Sequence, residues 1–145
     1  MVVRSLALIL VAVLAGCTSL DVRPIPASAR LQKICIKYNA DNNVSDLVQV
    51  IQEDFSSHGI TSTVIKEDKQ VACPAVATYT ADRWWDMAPY MVDAQITVEN
   101  DAGFLGSCHY HLAGHGGLDL TKWEGTHAKL DPAIDAMLIN YPKKH

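Results

Sequence analysis

The apolar positions along the chain change their period twice, and each change marks a boundary. Leu6–Leu14 is an unbroken apolar run of nine residues behind the single positive charge of Arg4, and Leu14-Ala15-Gly16-Cys17 closes it. That is the three-zone layout of a secretory signal peptide. A spanning helix needs about 20 apolar residues, so this run is too short to remain in a bilayer. Thr18–Arg30 carries Pro24 and Pro26 among small and polar residues with no apolar period, which predicts a flexible tether reaching roughly 40 Å when extended.

From Lys33 onward the pattern is periodic. Ile34, Cys35, Ile36 and Tyr38 form a short β-prone run, and Asn39–Asn43 is rich in turn formers. Leu47, Ile51 and Phe55 then recur every four residues with Val44 and Val48 beside them. This predicts an amphipathic helix capped by Asn43 and stopped at Gly59. Ile60–Ile65 predicts a second strand, Lys66–Gln70 a charged loop and Ala75–Ala81 a third strand. Met91–Glu99 alternates most cleanly, with Val92, Ala94, Ile96 and Val98 set against Asp93, Gln95, Thr97 and Glu99. Asn100–Gly103 reads as a hairpin loop into a fifth strand, Phe104–Leu112. On that strand Phe104, Gly106, Cys108, Tyr110 and Leu112 share one face, and Ser107, His109 and His111 the other. Thr121 with Glu124 fits a capping box and Asp131-Pro132 a helix start. The C-terminal segment is therefore two helical pieces or one bent at Pro132, burying Ile134, Met137, Leu138 and Tyr141. The order β-α-β-β-β-β-α predicts the α+β class, a single mixed or antiparallel sheet with two helices on one face.

Leu at −3, small residues at −2 and −1 and Cys at +1 make Leu14-Ala15-Gly16-Cys17 resemble the lipobox of bacterial lipoproteins, a motif carried by many folds. The resemblance implies that the Cys17 thiol is diacylglycerated, that cleavage follows Gly16, and that the new amino group is acylated. Ordinary secretion with cleavage after Ala15 is the alternative on the residues alone. Acyl burial contributes about 0.8 kcal/mol per methylene, and one chain alone holds only marginally, so two or three make a lasting anchor. Thr18 at +2, in place of Asp, implies by the enterobacterial sorting rule an outer-membrane protein facing the periplasm or displayed at the surface. The expected organisation is a removed signal peptide at 1–16, the lipidated cysteine and tether at 17–32, and one α+β domain at 33–145.

Further residues extend the likeness. Ile34-Cys35-Ile36, His58-Gly59-Ile60, Cys73, Tyr79-Thr80-Ala81, Trp85-Asp86, Tyr90, Tyr110-His111-Leu112, Lys122-Trp123 and Lys129-Leu130-Asp131-Pro132, together with the lipobox, resemble a small family of uncharacterised proteobacterial lipoproteins. The resemblance covers nearly the whole chain and implies location and architecture; it carries over no catalytic residue. It also implies that Cys35 and Cys73 belong together as a disulfide, in a compartment where such bonds persist. Spacing alone leaves three pairings open among Cys35, Cys73 and Cys108 once Cys17 is lipidated. Cys108, on the apolar face of its strand, reads as a small core residue rather than a nucleophile.

Charge and chemistry narrow the function. Loss of the signal peptide removes Arg4 and leaves 11 Lys and Arg against 16 Asp and Glu, a mildly acidic balance without a basic stripe, so no nucleic acid is expected as a partner. His109, His111 and His115 form H-x-H-x3-H, the one arrangement able to hold a transition metal, with Gly114, Gly116 and Gly117 letting the third imidazole fold back. A solvent-facing pair followed by a glycine turn explains the same letters. There is no G-x-S-x-G elbow, and Cys108 and His109 are strand neighbours whose side chains diverge. No catalytic residue and no cofactor is therefore expected, and a hydrolase is an alternative without a located site. Trp84-Trp85-Asp86, beside Arg83, is the candidate contact surface: one indole is expected in the core, and if that is Trp85, Trp84 faces outward. Both indoles closing the core with Trp123 and Tyr90 is the other reading. The expectation is a non-enzymatic accessory or interaction module, whose partners are the membrane through the lipid and another envelope protein.

Overall fold

Alternating strands and two apolar helix stripes assemble into one sheet with both helices on the same side. The structure, a computed structural model, describes residues 18–66 and 71–144. Its strands are β1 (Thr18–Arg23), β2 (Lys33–Lys37), β3 (Thr61–Ile65), β4 (Val76–Asp86), β5 (Ala88–Asn100) and β6 (Gly103–Leu112). The helices are α1 (Leu47–Ser57) and α2 (Thr126–Met137). The strands lie in the order β1-β6-β5-β4-β2-β3. β2 runs parallel to both β3 and β4, and the remaining pairs are antiparallel. This is the α+β class with a mixed sheet, and the order gains a strand at its start.

That extra strand overturns the tether. Thr18–Arg23 pairs along its whole length with β6, Thr18 opposite Leu112 and Arg23 opposite Ser107. Leu20 and Val22 supply the period of two; Pro24 and Pro26 fall just after the strand, where they cost no ladder hydrogen bond. The chain then dives into the core. Ile25 is fully buried, its N–H donates to Met137 O at 2.8 Å, and Asn140 Nδ2 donates to Ile25 O at 2.9 Å. The segment crosses β6 at Gly106, where a Cβ would lie 2.6 Å from Ile25 Cγ1 and 2.7 Å from Arg23 O.

Leu47, Val50, Ile51 and Phe55 form the buried stripe of α1. The helix starts later than an Asn43 cap requires, because Asn42 ties its own turn: Oδ1 accepts from Val44 N and Nδ2 donates to Val44 O. At its end Gly59, at φ +73°, donates to Ser56 O and Ile60 donates to Phe55 O, both at 2.9 Å, which is the Schellman closure a left-handed glycine permits. α2 passes straight through Pro132 instead of starting there. Leu130, Ala133, Ile134, Met137 and the following Leu138 are all fully buried, and that packing outweighs the roughly 3 kcal/mol an interior proline costs. The predicted capping box at Thr121 is likewise replaced: Asp119 Oδ1 accepts from Thr121 N and Oγ1, capping a 3-10 turn at Leu120–Trp123.

Cys35 and Cys73 form a disulfide, with Cα atoms 5.8 Å apart, and among the described residues Cys108 is the free, buried thiol. The bond is of the kind that persists outside the cytoplasm. Burial pushes the Cys108 thiol up to about 12, consistent with an inert core residue. Phe104 leaves the apolar face of β6, because a register shift at Val98/Glu99 sets Val98 against Gly106 and Glu99 against Phe104. No described helix is long and apolar enough to cross a membrane.

Candidate functional site

The register places most of the exposed apolar bulk at one end of the sheet. β1 begins at Thr18 opposite the last residue of β6. β5 pairs Asp93 with His111, so the β4–β5 hairpin, residues 83–92, extends past that same end. The 3-10 turns at Ala113–Gly116 and Leu120–Trp123 follow directly. Trp84 is 52% exposed, Trp85 70%, Met87 82% and Leu118 99%, and Leu120 and Leu20 are also exposed. All three tryptophans of the chain, Trp84, Trp85 and Trp123, stand at this end. Trp85 therefore does not turn inward, and the reading in which both indoles close the core is corrected: the hairpin outruns the strands beside it, and both rings stay outside the core.

The exposed tip is firmly held from behind. Asp86 Oδ2 accepts from Lys122 Nζ, and Asp86 O accepts from Trp123 Nε1 at 3.0 Å. Asp86 is thus a clamp between hairpin and turn, not a free surface group. Lys122 is itself buried, donates to Gly117 O at 2.8 Å, and places its ammonium 4.4 Å from the Trp123 ring, within cation–π range. Lys129, also buried, donates to Met91 O at 3.0 Å and to Lys122 O. Its Nζ sits 5.6 Å from the Tyr90 ring and 5.8 Å from that of Tyr110. Burial lowers its pKa, with Glu124 and Asp119 opposing the shift. Nothing in the local sequence signals that these two lysines are buried; only the aromatic residues brought beside them explain it.

The proposed histidine triad divides. His109 Nε2 and His111 Nδ1 both reach Asp93 Oδ2, at 2.8 and 3.0 Å. His115 turns away: its ring stacks on Trp84 with centroids 4.3 Å apart and planes 3° apart, and its carbonyl accepts from Tyr90 Oη at 2.8 Å. The glycines do bend the chain, but toward the hairpin tip, so His115 is withdrawn as a third ligand and Asp93 stands in its place.

A second polar cluster lies between the helices. Ligand atoms of Asp54, His127 and Asp131 lie within 4.8 Å of one another; His127 also reaches Glu53 at 3.0 Å. Asp54 is 5% exposed and its Oδ2 has no hydrogen-bond partner among the described residues. Burial, then the carboxylates of Asp131 and Asp135, raise its pKa to about 7. A groove elsewhere, lined by Lys37, Tyr38, Asn39, Asp41, Lys66 and Thr80, opens past the C-terminal ends of β2 and β3, beside the part of β4 that continues beyond them.

No protein-family model matches the chain, and no curated protein matches it in sequence. In fold it is similar to PelC from Paraburkholderia phytofirmans, solved as a dodecamer in space group P6, with 10% identity and a TM-score of 0.57 over 88% of this chain and 99% of that one. A single-substitution variant of that dodecamer, in space group C2, gives 11% identity and a TM-score of 0.56 over the same shares. At such identity the likeness is one of fold.

Proposed function

We propose that the chain is an envelope lipoprotein, lipidated at Cys17 and held with the aromatic end of its sheet against the outer membrane. There it acts as a non-enzymatic interaction module that assembles with copies of itself. The observation that carries the reading is the position of β1. Cys17 lies outside the described residues, but in sequence it directly precedes Thr18, the first residue of the sheet. A lipid at that point brings the end bearing Trp84, Trp85, Met87 and Leu118 to the bilayer surface, where the amphipathic ring of tryptophan is favoured. The long tether first expected would have left that end in water. Self-assembly is supported by the fold shared with a protein solved as a dodecamer.

Cys17→Ser tests the anchor by fractionation: the variant should leave the membrane pellet, and one that stays membrane-bound like the wild type sinks it. Light scattering on detergent-solubilised wild type tests assembly. A multi-subunit mass is expected; a monomer at every concentration removes self-assembly and leaves the anchor standing.

A further inference from the structure

We propose that Asp93, His109 and His111 form a binding site for a divalent transition-metal ion of the zinc or copper class on the helix-free face of the sheet. One ring nitrogen each of His109 and His111 and a carboxylate oxygen of Asp93 lie within 4.8 Å of one another. Both imidazole nitrogens stand on the same oxygen, at 2.8 and 3.0 Å. Zinc bonds of about 2.0–2.2 Å in tetrahedral geometry set donors roughly 3.3 Å apart, so each nitrogen would draw back from Asp93 Oδ2 by less than about 1 Å, with side-chain rotation closing what separates the two imidazoles. As hydrogen-bonded, the two nitrogens facing Asp93 Oδ2 carry protons, since a carboxylate only accepts; an ion would displace them, each ring then holding its proton on the other nitrogen and giving the freed lone pair to the metal.

The surroundings favour a cation. Asp82 is directly opposite Asp93 across β4 and β5, and Asp21 directly opposite His109 across β1 and β6. Facing carboxylates on adjacent strands destabilise a sheet unless something offsets them. β5 and β6 are interior strands, so the ligands stand on rigid backbone, and three protein donors leave coordination positions open to water or an anionic group. Imidazole and carboxylate together suit zinc and copper, with copper binding more tightly by the Irving–Williams order.

The test is titration of the full chain in detergent with zinc alone, read by calorimetry, and with cobalt alone, read by its visible spectrum. One ion per chain is expected. Asp93→Asn and His109→Gln should each weaken binding by more than about tenfold, while His115→Ala and His127→Gln leave it unchanged. Absence of binding tighter than millimolar overturns the site. So does binding that survives Asp93→Asn, or that is lost in His127→Gln, which would place the ion between the helices.

Discussion

Asp54→Asn should make the protein less sensitive to rising pH. In the folded chain the carboxyl is buried between the helices with Oδ2 unpartnered, and burial with Asp131 and Asp135 carries it from 3.8 to about 7. A folded-state pKa above the unfolded one means that the folded chain keeps a proton which the unfolded chain releases first. The contribution of Asp54 is therefore whole below about pH 4, falls as pH rises toward 7, and is flat beyond. At about 1.4 kcal/mol per pH unit the interval corresponds to about 4 kcal/mol. The cluster opens to solvent through half-exposed His127 and Asp131, and screening there brings the expectation to about 2 kcal/mol. Urea unfolding of both proteins between pH 4.5 and 8, with chelator present, measures it. His127, whose pKa is raised first by its hydrogen bond to Asp131, also sheds stability on the alkaline side, but does so in both proteins and largely cancels in the difference. The variant should gain about 1–2 kcal/mol on the wild type across this range. A difference that stays flat, or moves the other way, refutes the buried-carboxyl reasoning.

Two further outcomes follow from the fold. Gly106→Ala would push a methyl against Ile25 Cγ1 and the Arg23 carbonyl; it should cost about 1–3 kcal/mol and raise amide exchange along Thr18–Arg23, whereas unchanged exchange would show that the crossing is loose. Replacing both Cys35 and Cys73 by Ser opens a loop spanning 38 residues, and should lower stability by up to about 4 kcal/mol in urea unfolding; a loss near zero would mean that the unfolded chain is not constrained by the bond.

Much of this architecture is legible in residue patterns, and its gaps have physical causes. The alternation in β5 and the four-residue stripe of α1 are visible because each element buries one face only. β1 is hidden because its two apolar residues, Leu20 and Val22, make too short a pattern beside Pro24 and Pro26, and because an edge strand draws its stability from a partner 90 residues away, Tyr110 opposite Leu20. The continuity of α2 through Pro132 is a tertiary effect in which buried side chains outweigh backbone propensity. The site was half visible. His109 and His111 were placed together on the outer face of their strand, while Asp93 joins them only through hairpin register, which pairs it with His111. Counting back from the Asn100–Gly103 turn supplies that partner once the shift at Val98/Glu99 is known. The outward turn of Trp85 had no local signal, since it follows from the β4–β5 hairpin being longer than the strands beside it.

Intrinsic tryptophan fluorescence tests the central claim most directly, because Trp84, Trp85 and Trp123 are the chain's only tryptophans and stand at the end assigned to the membrane. The lipidated protein is reconstituted into vesicles containing brominated phospholipid, and its emission is compared with that of Cys17→Ser protein in buffer. Blue-shifted emission, strongly quenched by bromine near the headgroups, is the predicted result. Emission identical to that of the soluble variant, with no quenching, would contradict the account, since the aromatic end would then face away from the bilayer.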